Sequence, residues 1–270
     1  MTKIILNADD FGKSREQNEA IDASFREGFI SSAGLIITAR YMQDAVNKAI
    51  TGGYLDKLHL HVNLSSGRLF LETDYLPLTE AMRNNPFTGS NGNLLYVEKK
   101  TFRFLSIFAF KRVYSEIEAQ YKKFIEITQG KGVYKHLDFH LWYNLTWPVS
   151  IALFFFTRKY HIESVRYIGI HDHHNIKKKL FRLCSWDPNC KNIPSTNIDY
   201  YLSKSDLSDK YSILELYCHP CYKDGVLLDD SQSYLKHERK TMQYHAQKLT
   251  EINVVKFVSW KDLTKEKKYE

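Results

Sequence analysis

Apolar and polar positions along this chain fall into blocks whose period changes repeatedly between two and about 3.6 residues. Lys3 to Ala8 is apolar and strand-like and ends on the acidic turn Asp9-Asp10-Phe11-Gly12. Ser14-Arg15-Glu16-Gln17 then reads as a capping box, opening a helix that runs to about Gly28, a suitable left-handed stop. Phe29 to Thr38 is again β-rich. Met42, Ala45, Val46, Ala49 and Ile50 recur at helical spacing and are closed by Gly52-Gly53. Lys57 to Leu64 is a third strand candidate.

Leu69 to Phe110 breaks the alternation with Pro77, Pro86 and the Gly89-Ser90-Asn91-Gly92 turn. It is expected to be an insertion over one face of the fold. The pattern resumes with a helix whose apolar face carries Val113, Ile117, Tyr121, Phe124 and Ile125. Further strands are predicted at Tyr134 to Phe139, Ser164 to Ile168, Asn192 to Asn197, Ser212 to Cys218 and Val254 to Ser259. Seven or eight strands alternating with helices predict an α/β fold, a TIM-like (β/α) barrel, complete or incomplete. No linker divides the chain, so residues 1–270 are expected to form one domain.

Composition narrows the class without choosing a function. The chain is 43% hydrophobic and 26% charged, as in ordinary globular proteins. Its longest apolar run, Ile151 to Phe156, falls far short of the roughly 20 residues of a membrane span. The start meets Asp9 and Asp10 before a signal-peptide core forms, so a cytoplasmic protein with no membrane partner is expected. The net charge of +7 raises nucleic acid as a partner. The excess sits in scattered runs such as Lys177 to Lys179 and Lys265 to Lys268, and no basic-aromatic motif accompanies it. A solvated basic face is the stronger reading, and no nucleic-acid partner is expected.

Candidate chemistry clusters at strand ends. Asp9-Asp10 follows the first strand, His61 ends the third, His136, Asp138 and His140 close the fourth, and His219 follows a late strand. In an α/β barrel these ends converge on one mouth, where catalytic groups reside. A carboxylate and two neutral imidazoles suit a divalent ion, a second carboxylate could take a proton from water, and a separate histidine could protonate a leaving group. That set fits hydrolysis of an amide or ester. His171, His173 and His174 lie in a loop with Asp172 and read as surface. Cys218-His219-Pro220-Cys221, with Cys184 and Cys190, offers a weaker rival: a redox pair or structural zinc on a motif that reads as a loop.

Four ordered blocks carry a resemblance. Asn7-Ala8-Asp9-Asp10-Phe11-Gly12, Leu60-His61-Val62-Asn63-Leu64-Ser65, His136-Leu137-Asp138-Phe139-His140 and Glu215-Leu216-Tyr217-Cys218-His219-Pro220 resemble the YdjC/ChbG-like carbohydrate deacetylases, with Val165-Arg166 between the last two. The resemblance implies a TIM-like barrel and metal-dependent removal of acetyl groups from N-acetylated saccharides, with metal-bound water as nucleophile. It implies Asp10, His61 and His140 as ligands of one divalent ion, magnesium or zinc. It implies Asp9 as general base, His219 as general acid, Arg166 as partner of Asp9 or of substrate, and Asp138 as the group orienting a ligand imidazole. A homodimer is compatible with it. Two histidines that usually follow in the family are replaced by Trp142 and Asn144, candidate saccharide contacts. The resemblance implies chitooligosaccharides such as diacetylchitobiose as substrates; that departure puts them in question and leaves, as the alternative, a saccharide-binding relative impaired in catalysis.

Overall fold

The computed structural model describes residues 2–64, 78–80, 109–141, 146–168, 175–195, 198–199, 210–230, 239–250 and 255–266. The predicted alternation is present. In order come β1 (Thr2–Phe11), α1 (Arg15–Arg26), β2 (Ser32–Leu35), α2 (Met42–Thr51), β3 (Leu58–Val62), α3 (Phe110–Ile127), β4 (Val133–Phe139), α4 (Trp147–Lys159) and β5 (Ser164–Val165). They are followed by α5 (Asn175–Arg182), β6 (Cys190–Pro194), β7 (Ile213–Cys218), a hairpin of β8 (Pro220–Lys223) and β9 (Val226–Asp229), α6 (Met242–Thr250), β10 (Val255–Phe257) and α7 (Trp260–Glu266).

The main sheet runs β5-β4-β3-β2-β1-β7-β6, and every pairing in it is parallel. β7 takes one edge of β1 over Lys3 to Ala8. β10 and β2 share the other edge, β10 beside Thr2 to Ile4 and β2 beside Asn7 to Phe11. Among the described residues β5 and β6 do not pair with each other. The architecture is therefore α/β with a curled parallel sheet, an incomplete TIM-like barrel. β1 is its central strand and is buried along almost its whole length, as parallel strands covered on both faces are.

Local chemistry explains the boundaries. Ser14 accepts the Gln17 N–H at 3.1 Å and starts α1. Gly28, at φ 72°, provides the left-handed turn after it. On α2 the predicted stripe buries Ala45, Val46 and Ala49, while Ile50 at its edge is half exposed. Val113, Ile117, Tyr121 and Phe124 of α3 are buried, with Ile125 partly covered. These helices cover the outer face of the sheet in one continuous apolar core that includes Leu58, Leu60, Val62, Leu137, Phe139, Leu214 and Leu216. A smaller cluster of Ile5, Val133, Cys190, Val258, Trp260 and Leu263 closes the end where the strands begin.

Two expectations are corrected. Asp9 and Asp10 do not form a turn after β1; the strand continues through both to Phe11. Cys218 to Cys221 is not a loop, because β7 ends at Cys218 and β8 begins at Pro220. Most of the segment from Leu69 to Phe110 lies outside the described residues, as do Trp142, Asn144 and the loop bearing His171, His173 and His174. Leu78 and Thr79, which are described, donate their backbone N–H groups to Glu116 of α3, each at 2.9 Å.

Candidate active site

The mouth is built around a slip in β1. In a regular strand consecutive side chains point to opposite faces. Here the pairing of β1 with β2 shifts register between Ala8 and Phe11, and Asp10 adopts φ 68°. Aspartate tolerates this left-handed backbone better than most residues. The slip breaks the alternation, so both neighbouring carboxylates reach one cluster. Both are buried, as are His61, His140 and Arg166.

Asp10 stands at the outer level. Its Oδ1 lies 2.7 Å from His140 Nδ1 and 3.3 Å from His61 Nε2. Lys13 Nζ is 3.3 Å from Oδ2, and His219 Nε2 is 3.9 Å from the same oxygen. Burial alone would raise the acid's pKa, but the His140 and Lys13 charges outweigh it and hold Asp10 well below the usual carboxylate range.

Beneath it, Asp138 joins the strands. Its Oδ1 lies 2.6 Å from His61 Nδ1, which leaves Nε2 of that ring directed to Asp10. Its Oδ2 lies 3.0 Å from His59 Nε2 and 2.8 Å from Arg166 Nη2. Burial opposes charge on His61, yet Asp138 and Asp10 more than compensate and raise its pKa to about 10. Arg166 also donates from Nη2 to Asp9 Oδ2 at 2.6 Å and from Nη1 to Glu215 Oε1 at 3.3 Å. Asn7 Nδ2 donates to the other oxygen of Asp9 at 2.8 Å. The guanidinium, buried against three carboxylates, remains a cation throughout.

Among the described residues three groups have donor atoms close enough to share an ion: Asp10, His61 and His140; His59, His136 and Asp138; and Asp9, His61 and Asp138. Arg166 discriminates among them. Its guanidinium already serves Asp9 and Asp138, and a second cation beside it would be repelled. Beside Asp10, His61 and His140 the fixed cation is only the part-exposed Lys13 ammonium on Asp10 Oδ2, which can swing to solvent, and one carboxylate with two imidazoles is a donor set that divalent ions accept. Charge argues the same way. Asp9, Asp10, Asp138 and Glu215 are four buried carboxylates facing the Arg166 guanidinium and the part-exposed Lys13 ammonium. Burial raises the pKa of Glu215; with it protonated, Asp9, Asp10 and Asp138 face Arg166, Lys13 and the His61 imidazolium, and a divalent cation would take the place of the His61 Nε2 proton. The residues therefore fit a divalent cation.

Seven of the expected groups gather here, Asp9, Asp10, His61, Asp138, His140, Arg166 and His219, while Trp142 and Asn144 lie outside the described residues. Sequence reading missed several others. His59 was visible as a residue sharing the His61 face but carried no role. Glu215 lay inside a recognised block, yet nothing in its spacing showed that it would share Arg166. Trp260 gave no signal; its ring stacks on His136 at 3.6 Å, and its Nε1 lies 3.4 Å from Glu215 Oε1. Cys218, half of the rival motif, is buried and donates from Sγ to the Asn7 carbonyl.

Known proteins resemble the chain over most of its length. The chain is 28% identical over 236 residues to carbohydrate deacetylase 2 of Listeria innocua, covering 85% of this chain and 84% of that protein. It is 24% identical over 264 residues to a carbohydrate deacetylase of Clostridium beijerinckii, covering 97% and 96%. A crystal structure from Enterococcus faecalis, provisionally assigned to cellobiose-phosphate cleavage, shares the fold with a TM-score of 0.65 at 18% identity, covering 97% of this chain and 98% of that one. No helix among the described residues is long and apolar enough to cross a membrane. Residues 3–264 match the family model described as YdjC-like protein, and the chain belongs to that family.

Proposed function

We propose that the protein is a metal-dependent carbohydrate N-deacetylase, hydrolysing the acetamide of an N-acetylated saccharide to acetate and a free amine. The observation that carries this reading is the convergence of Asp10, His61 and His140 beside a second carboxylate, Asp9, and a part-exposed histidine, His219. Asp10, His61 and His140 would hold one divalent ion, magnesium or zinc. Such an ion supplies Lewis acidity, making a nearby water easier to deprotonate and drawing charge from an acyl oxygen.

The chain's own groups do the rest. Asp9 accepts the proton of the attacking water; each of its oxygens already takes one hydrogen bond and keeps a lone pair for another. Arg166 fixes the orientation of that base. Asp138 fixes the tautomer of His61 through Nδ1. His219, on the solvent side of Asp10, donates a proton to the departing amine nitrogen, which leaves as the C–N bond breaks.

The test is acetate release over a panel of N-acetylated mono- and oligosaccharides, with elemental analysis of the same protein. Asp10→Ala is expected to lose both the ion and turnover. Asp9→Asn is expected to retain the ion while losing about 10²- to 10⁴-fold in kcat, the usual contribution of a general base. Undiminished activity in ion-free Asp10→Ala protein would refute the mechanism. Ion and saccharide binding without acetate from any panel member would favour the impaired relative instead.

A further inference from the structure

His219 is anchored differently from the other groups at the mouth. Its backbone N–H donates to Asp229 Oδ1 at 2.9 Å, and its carbonyl accepts from the Asp230 N–H at 2.8 Å. Residue 219 is thus the point where the β8–β9 hairpin closes on itself. The tip of that hairpin, from Tyr222 to Val226, is exposed, and Asp229 is the one fully buried residue of β9. β8 packs beside α1, and the buried end of the hairpin is the one where His219 begins it.

Asp229 is itself fixed from two further elements. Ser195, immediately after β6, donates its hydroxyl to Oδ2. His245, on α6, places Nε2 3.1 Å from the same oxygen. Ser195 and His245 are fully buried. A carboxylate has lone pairs enough for the Ser195 hydroxyl and the His219 N–H beside the close His245 ring, and a buried one needs such partners, because an unpaired charge there is costly. Burial alone would raise the pKa of Asp229, but His245, the His219 N–H and the Ser195 hydroxyl together lower it, so it stays ionised.

We propose that Asp229, braced by Ser195 and His245, is the positioning residue that sets where the His219 imidazole stands over Asp10. The inference rests on the deacetylase reading for its kinetic consequence but not for its geometry. The candidate ion ligands come from β1, β3 and the end of β4, whereas Ser195, Asp229 and His245 belong to β6, β9 and α6 and their ends. Loss of Asp229 should therefore uncouple proton donation from ion binding.

The experiment uses the full chain loaded with its divalent ion. Asp229→Ala is expected to lower kcat by about 10²-fold, the cost of misplacing a catalytic group by about 1 Å, with KM nearly unchanged. Asp229→Asn, which keeps an acceptor for the His219 N–H, should lose about tenfold. Ion content and affinity should match the unmodified protein in both. A crystal structure of Asp229→Ala should show His219 Nε2 displaced from Asp10 by about 1 Å or more, the scale that matters for a reacting group. If that variant does not fold, Ser195→Ala and His245→Gln each remove one brace and should give the same kcat-only loss at about three- to tenfold.

An undisplaced imidazole or an unchanged kcat would overturn the proposal. So would loss of the ion, which would make Asp229 a general support of the mouth. A protein that releases no acetate in any form would refute the deacetylase reading alone, because the crystallographic displacement still decides the positioning.

Discussion

The two faces of the same strands differ more than period-two alternation requires. On β4, Leu137 and Phe139 join the apolar core under the helices, while His136, Asp138 and His140 line the barrel interior. On β3, Leu58, Leu60 and Val62 face outward against His59 and His61 inward; on β7, Leu214 and Leu216 oppose Glu215. Barrel interiors are usually filled with branched aliphatic side chains. Here a chain of carboxylates and imidazoles organised by one arginine fills that space. The outer face supplies stability by burying apolar area. The interior supplies chemistry, and its charges hold together only because each has a partner.

Removing the shared partner should separate the two faces most sharply. Arg166→Leu leaves Asp9, Asp138 and Glu215 without their common cation. Breaking a buried ion pair typically costs about 3–5 kcal/mol, and this substitution breaks three at once. The expected result is a large fall in the urea midpoint together with loss of acetate release. A stable Arg166→Leu protein would mean that the interior network adds little to the fold.

The outer face should respond in the opposite sense. Phe124 of α3 is fully buried in the apolar core. Phe124→Ala is expected to cost about 3–5 kcal/mol through lost transfer energy and a residual cavity. Turnover per folded molecule should be unchanged below the melting transition. Kinetics normalised to the folded fraction, read by circular dichroism, distinguish this outcome from damage to the site.

This division also explains what the sequence made legible. Outer-face residues announce themselves by period, so all eight strands of the main sheet were found, with errors of a few residues at ends such as Phe29 to Thr38, which shrinks to Ser32–Leu35. Interior residues announce themselves by type and by position at strand ends, the signal that singles out Asp10, His61, His140 and His219, which lie close together in the fold. Two kinds of feature stayed hidden. The slip at Asp10 is a tertiary event: strict alternation would have sent Asp9 and Asp10 to opposite faces, and only the pairing of β1 with β2 reveals otherwise. Partners contributed singly from distant elements, such as Trp260, Ser195 and His245, carry no local pattern. They become recognisable only when the barrel brings them to Glu215 and Asp229.

Charge outside the barrel gives the smallest and most discriminating test. Glu118 on α3 accepts hydrogen bonds from Tyr160 Oη and Lys159 Nζ, both at 2.7 Å, and from Tyr114 Oη at 3.0 Å. Burial opposes its charge, but these donors together outweigh it and lower its pKa from 4.5 to about 2. The native state therefore holds a proton on this group less tightly than the unfolded chain does. The resulting stabilisation is fully present above about pH 4.5 and is lost as pH falls toward 2, the direction linkage requires for a depressed carboxyl group. Because the pair is accessible to solvent, the effect should stay below about 1 kcal/mol. Glu118→Gln should flatten that part of the acid dependence of the urea midpoint and leave neutral-pH turnover untouched. If it instead destabilised the protein as much as Arg166→Leu, ion pairs outside the barrel would matter as much as those within it, and the contrast between the two faces would fail.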